Sequence, residues 1–150
     1  MFNVILFNPQ IPPNTGNIIR LCSNTNTKLF IIEPIGFEIS DKSLKRAGLD
    51  YHKDVEIKIF ETLRECCDFI KFGNFFFITK FGNKNYCDIN FKKGDSLIFG
   101  SEISGIPDSV FEDFTFPKLM IPIKDISRSL NLSNSVSIVL YEALRQNKFF

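Results

Sequence analysis

Residues 121–146 read IPIKDISRSLNLSNSVSIVLYEALRQ. The segment opens as the end of an apolar strand, crosses a polar loop at residues 124–131 and continues as a strongly apolar helix. The loop contains Asp125, Ser127, Arg128, Ser129 and Asn131. Polar groups held between a core strand and a core helix are positioned by rigid elements on both sides, which is where binding loops sit. Ser129 and Asn131 also suit the N-cap of the following helix. The local sequence leaves both readings open. Beyond the loop, Val136, Ile138, Val139, Leu140, Ala143 and Leu144 make more than one apolar stripe, so this helix calls for cover on more than one side.

The segments upstream give the helix and its preceding strand a context. Residues 4–7, 29–32, 75–79 and 96–99 are short continuous apolar runs ended by turn residues such as Asn8-Pro9 and Gly100. Residues 55–60 alternate with Glu56 and Lys58, which predicts an edge strand, and residues 119–123 form the last strand. Pro9, Pro12 and Pro13 hold an extended loop after the first strand. Asn14 or Thr15 can then cap a helix whose apolar face is Ile18, Ile19, Leu21 and Cys22. Helical patterns follow at residues 62–72, at 107–114 with Pro107 at the start, and at 132–146. A short basic helix or turn is expected at residues 41–48 and a loop at 83–90. Continuous apolar strands alternating with helices predict an α/β fold with a mostly parallel sheet covered on both faces. Such sheets bind ligands at the carboxyl ends of their strands. The loops after residues 79, 99 and 123 are therefore the candidate site. At 150 residues the chain is expected to be a single domain.

Composition narrows the class. The net charge is +1, so nucleic-acid binding would need a local patch rather than a global field. One cluster exists, Lys42, Lys45, Arg46 and Lys53; it suits either phosphate contact or a solvated face. The chain has 18 Phe and no Trp, a bias read as core volume. Four cysteines without a C-x-x-C pair, and a single histidine, His52, argue against a metal site and fit a reducing cytoplasm. The N-terminus MFNVILFNP has no basic lead of a signal peptide. No run approaches the roughly 20 apolar residues of a spanning helix, so no membrane association is expected.

Several residues carry chemistry. Gly100 and Gly105 bracket Glu102 in a turn after an apolar strand, where glycine lets backbone amides approach a ligand. No G-K-[ST] follows, which excludes a P-loop. Arg20 follows Asn14 and Asn17 on the first helix. Tyr141 and Arg145, four apart, share a face of the last helix. His52 has no Ser or Cys tied to it by motif, so a hydrolase triad is unsupported. A Rossmann oxidoreductase would need G-x-G-x-x-G after the first strand, where residues 8–16 read NPQIPPNTG.

Four stretches together are specific: IPPNTGNIIRLC at 11–22, RAGLDYH at 46–52, LIFGSEISGIP at 97–107 and SRSLNLSNSVS at 127–137. In that order and spacing the chain resembles the SPOUT-class tRNA 2′-O-methyltransferases, in particular their small wobble-position TrmL (YibK-like) family, over essentially its whole length. The resemblance implies an α/β domain with a C-terminal trefoil knot, an exception to the rule that chains do not thread. It also implies a homodimer and S-adenosylmethionine as methyl donor. By position, Ile78, Thr79, Gly100, Glu102, Gly105, Ile121, Ile123, Ser129 and Leu130 would line the cofactor. Arg20 would be catalytic, facing the reacting ribose, with Asn14 and Asn17 on the RNA side. Ser127, Asn131 and Asn134 would complete a polar wall, and Tyr141 would serve the dimer or the RNA. Lys42, Lys45 and Arg46, beside the RAGLDYH stretch, are the expected phosphate contacts. The implied substrate is a tRNA anticodon stem-loop, methylated on its wobble nucleotide, cytidine or modified uridine. Ser101 stands where the family commonly has Pro and Ser104 where it commonly has a basic residue. Activity on another RNA site, or a non-catalytic homologue, remain the alternatives.

Overall fold

The computed structural model describes residues 1–38, 55–125 and 128–149. In chain order the elements are β1 (Asn3–Phe7), α1 (Pro12–Asn24), β2 (Lys28–Ile32), β3 (Ile57–Phe60), α2 (Leu63–Phe69), β4 (Phe75–Ile78), β5 (Lys84–Asn85), β6 (Ser96–Phe99), α3 (Asp108–Asp113), β7 (Lys118–Met120) and α4 (Leu132–Gln146). The strands form one parallel sheet in the order β3-β2-β1-β6-β4-β7-β5. Ile5 of the central β1 pairs with Phe30 on one side and Ile98 on the other.

Neighbouring side chains of each strand enter opposite cores, as the two-residue period of a strand requires. Val4, Leu6, Leu29, Ile31, Phe76, Ile78, Leu97 and Phe99 pack against Ile18, Ile19 and Cys22 of α1 and Val136, Val139, Leu140 and Ala143 of α4. The intervening Ile5, Phe30, Phe77 and Ile98 pack on the other face, against Leu63 and Cys66 of α2 and Val110 and Phe111 of α3. Burial of both faces explains why these strands are continuous apolar runs instead of alternating ones. The phenylalanines supply the expected volume: Phe2, Phe30, Phe77 and Phe99 are fully buried, and Phe77 meets Phe111 edge-on with centroids 5.0 Å apart.

At the amino ends of the strands, buried Asp95 aligns three of them. Its Oδ1 accepts from Asn74 N at 2.9 Å and Asn74 Nδ2 at 3.0 Å, and its Oδ2 from Lys92 N at 2.8 Å. Asn3 Nδ2 donates to Ser96 Oγ at 3.1 Å. These bonds fix β1, β4 and β6 in register, so their carboxyl ends emerge together one strand length away.

Four differences between expected and observed elements matter most. Helix α1 starts at Pro12, not after Asn14: Pro12 and Pro13 occupy its first turn, where the missing N–H groups cost nothing. Neither Asn14 nor Thr15 is its cap. Strand β7 ends at Met120, so Ile121 and Ile123 leave the ladder. The expected loop at 83–90 contains the two-residue β5, joined to the outer side of β7, and a short 3-10 turn, Tyr86–Asp88. The helical pattern at 62–72 forms only Leu63–Phe69, with Thr62 Oγ1 accepting from Glu65 N at 3.2 Å. The edge position of β3 and the span of α4 agree with expectation. The turn expected at 41–48 lies outside the described residues.

Candidate active site

Three chain segments leave the carboxyl ends of β4, β6 and β7 and face one another. The turn after β6 is closed by Ser101 N donating to Gly105 O at 3.1 Å and Gly105 N to Ser101 O at 2.9 Å. A side chain at Gly100 would stand 2.4 Å from the carbonyl carbon of Gly105, and Gly105 itself has φ +68°. Both positions therefore need glycine for this turn to close. After β4, Gly82 N donates to Thr79 O at 3.2 Å and Phe81 N to Thr79 Oγ1 at 3.3 Å. The third segment, from Ile121, leads to α4. There Asn131 is the cap, its Oδ1 accepting from Asn134 N at 3.3 Å and Ser133 Oγ at 2.7 Å.

Between these segments lies an open cavity of about 660 Å³. Its lining includes every residue assigned to the cofactor from the sequence: Ile78 and Thr79 after β4, Gly100, Glu102 and Gly105 after β6, and Ile121, Ile123, Ser129 and Leu130 before α4. Asn14 and Asn131 join them at the rim. Asn17, Arg20, Asn134 and Tyr141 are exposed on α1 and α4 and are not among the lining residues. Lys42, Lys45, Arg46 and Ser127, with His52, lie outside the described residues.

Glu102 ties this rim together. Its Oε2 accepts from Gln10 N at 2.8 Å, and its Oε1 from Ile11 N at 3.2 Å and from Asn14 Nδ2 at 3.0 Å. Asn14 Oδ1 in turn accepts from Asn131 Nδ2 at 2.9 Å. A carboxylate from the β6 turn thus sits at the amino end of α1, where the helix dipole favours negative charge. It binds the N–H groups of the two residues just before the helix, whose first two residues are prolines with no N–H to cap. Asn14, the third residue of the helix, uses its side chain to span from Glu102 to Asn131.

Cysteine chemistry is not part of the site. Burial pushes the thiols of Cys22, Cys66 and Cys67 up to about 12, and a nucleophile must be the thiolate. Exposed Cys87 is not a lining residue. Among the described residues no group of three His, Cys, Asp or Glu could hold a metal ion, and no helix is long and apolar enough to cross a membrane.

The sequence reading gave no site role to ten lining residues, among them Ile11, Lys80, Phe81 and Ile103. Phe81 and Ile103 are 68% and 79% exposed. In a chain so rich in phenylalanine, one more Phe after an apolar strand carried no mark separating it from the core.

A cavity built from three adjacent strand ends of a parallel sheet is where an α/β fold places a small-molecule ligand, and residues 1–141 match the SpoU rRNA Methylase family; the chain belongs to that family. More particularly, it is 45% identical to the tRNA (cytidine(34)-2'-O)-methyltransferase of Methylovorus glucosotrophus, over 99% of this chain and 97% of the relative. It is also 45% identical to the protein of the same name from Escherichia coli K12, over 97% and 94%. A solved structure described as giving insights into the 2-OH methylation of C/U34 on tRNA superposes with a TM-score of 0.91 at 35% identity, covering 99% of this chain and 97% of that one. The SpoU methyltransferase AviRb from Streptomyces viridochromogenes, solved with AdoMet, shares the fold at a TM-score of 0.86 and 21% identity, over 97% of this chain and 60% of that one.

Proposed function

We propose that this chain is an S-adenosylmethionine-dependent methyltransferase that 2′-O-methylates the wobble nucleotide, cytidine or modified uridine at position 34, in tRNA anticodon loops. The observation that carries this reading is the convergence of three strand-end loops on one cavity, with α1 and α4 bonded to its rim through Glu102, Asn14 and Asn131. The names of relatives aligned over nearly the whole chain supply the position on the tRNA. The test is mass spectrometry of tRNA nucleosides from cells with and without the gene. Loss of a 2′-O-methylated wobble nucleotide is the expected result. An unchanged wobble profile with loss of another 2′-O-methyl mark would move the activity to a different RNA site.

The cavity's residues suit the cofactor. Its volume lies within the about 300–1,000 Å³ of small-molecule sites. Ile78, Ile121, Ile123 and Leu130 offer apolar walls, and Thr79 and Ser129 polar ones. A Cβ built on Gly105 would meet nothing within 4 Å, which leaves that backbone open to a ligand. When bound, S-adenosylmethionine supplies an electrophilic methyl group on a positively charged sulfur. The chain's part is to align a ribose hydroxyl with that methyl and to help the hydroxyl lose its proton.

Arg20 is the proposed catalytic residue. A guanidinium stays protonated and makes a poor general base. Its role here is to clamp the adjacent phosphate and stabilise the developing alkoxide, the proton leaving to a phosphate oxygen or to water. Asn17, three residues before it on the same face of α1, would share the RNA contact. Asn14 and Asn131 would hold the polar wall with Ser127 and Asn134, and Lys42, Lys45 and Arg46 would bind phosphates of the anticodon loop.

The functional unit in this reading is a cytoplasmic homodimer of one-domain chains. Exposed Ile138 and Tyr141 on the outward side of α4 support a second copy there. Because Arg20 stands outside its own cavity's lining, such a copy would also give it a route to a reacting ribose. The trefoil knot belongs to the same reading. It is supported by β7 entering the sheet between β4 and β5 before the chain returns to pack α4 beside α1.

A further inference from the structure

We infer that Phe81, with Lys80 beside it, is a stacking platform for an unstacked base of the RNA substrate at the mouth of the cavity; the inference rests on the RNA methyltransferase reading above. Phe81 is 68% exposed, yet it is not on a loose loop. Its own N–H is bonded to Thr79 Oγ1, and the next residue, Gly82, is bonded to Thr79 O. Gly82 also sits so close to β7 that a Cβ there would lie 2.4 Å from the carbonyl carbon of Leu119. The ring is thus carried on a turn fixed against two strands, and held out in water instead of folding into the core.

Leaving a phenylalanine ring in water forgoes the gain of burying it, so an occupant in the working complex is the physical reason to keep it there. The chemistry of that occupant is legible. Lys80 Nζ lies over the Phe81 ring, 5.0 Å from its centroid. A cation beside an exposed aromatic is how proteins hold single-stranded nucleic acid: the ring takes the face of a base and the ammonium the neighbouring phosphate. Both residues line the cavity, as does Ile103 of the β6 turn, 79% exposed. An enzyme that methylates a ribose in a loop needs the nucleotide out of its stack, and a replacement stacking partner offsets that cost. An amino acid at this position would therefore tune which base is accepted.

The chain has no tryptophan, so Phe81→Trp creates a single fluorescent reporter at the proposed platform. Titration of this variant with an anticodon stem-loop RNA, with binding followed independently by anisotropy of a labelled RNA, should quench the indole. A fully paired duplex of the same strand should bind without quenching. In steady-state methylation, Phe81→Ala should raise KM for the stem-loop roughly tenfold, with Phe81→Tyr close to wild type and Phe81→Leu as impaired as Ala. Cofactor affinity should change less than the KM for RNA. The inference is overturned by bound stem-loop without quenching, by equal quenching by the duplex, by Leu restoring KM as well as Tyr, or by Phe81→Ala weakening the cofactor or the dimer in place of RNA. Wild-type protein that transfers no methyl to any tRNA would sink the functional reading instead; active wild type with Phe81→Ala kinetics unchanged sinks only this one.

Discussion

Asn14 and Glu102 are 88 positions apart in sequence and joined by a 3.0 Å hydrogen bond, Asn14 Nδ2 to Glu102 Oε1. Through Asn131 the same asparagine reaches the first turn of α4. The start of α1, the turn after β6 and the start of α4 therefore form one unit around the cavity. Glu102→Gln should strain that unit. The carboxylate accepts at both oxygens from three N–H donors, and an amide would turn its NH2 toward one of them. A stability loss of about 1–3 kcal/mol is expected from the unpaired group, read by urea denaturation, with weaker cofactor binding alongside. An unchanged denaturation midpoint would show that the network contributes nothing.

Gly100→Ala should act on the ligand more than on the fold. The added methyl meets the Gly105 backbone at 2.4 Å, so the turn must open where it faces the cavity. Cofactor affinity is expected to fall tenfold or more, about 1.4 kcal/mol, by isothermal titration, while circular dichroism stays native. Affinity equal to wild type would mean that this turn does not shape the binding site.

Arg20→Ala is expected to lower methyl transfer by about 10²–10³-fold, the scale of losing a group that stabilises developing charge. Cofactor affinity should hold, because Arg20 is absent from the cavity lining. Single-turnover transfer to a stem-loop RNA, paired with cofactor titration, separates the two. Near-normal turnover would remove Arg20 from the mechanism.

Thiol labelling should count one fast site. Cys87 is exposed, whereas burial pushes the Cys22, Cys66 and Cys67 thiols up to about 12. A thiol-disulfide reagent at pH 7.5 is expected to release about one equivalent quickly from native protein and four after denaturation. Rapid release of a second equivalent from native protein would contradict the packing around α2.

Acid should expose a contribution from α4. Hydrogen bonds from Arg145 and then Gln146 hold the Glu142 carboxyl down at about 2, below its ordinary 4.5. A depressed carboxylate pKa stabilises the fold above the unfolded value, and that stabilisation is lost as pH falls from about 4.5 through about 2. Replacing Glu142 by Gln should therefore flatten the thermal midpoint against pH in that window and leave its acid limb closer to level. Parallel curves for the two proteins would show that the pair adds nothing.

Much of this molecule is decided within short stretches of chain. The apolar runs at β1, β2, β4 and β6 specified a parallel sheet covered on both faces, because strands buried on both sides have no polar alternation to show. A cap for α4 at Ser129 or Asn131 and the glycine-bracketed turn after β6 were legible for the same reason: caps and tight turns depend on residues three or four positions apart. The three strand-end loops could be named as a site from general topology before their meeting was visible. Tertiary structure alone decided what meets across the sheet. Sheet order brings Glu102 to the amino end of α1, where it binds the N–H groups of Gln10 and Ile11 and the side chain of Asn14, a residue whose local signal was that of a cap. It ends β7 at Met120, because β5 and β4 flank only that much of it, and so turns Ile121 and Ile123 into cavity walls. It also leaves Phe81 in water while Phe76 and Phe77 are buried. Identical side chains read identically along a chain; only the positions of neighbouring strands determine which of them finds a core and which is left at the mouth of the site.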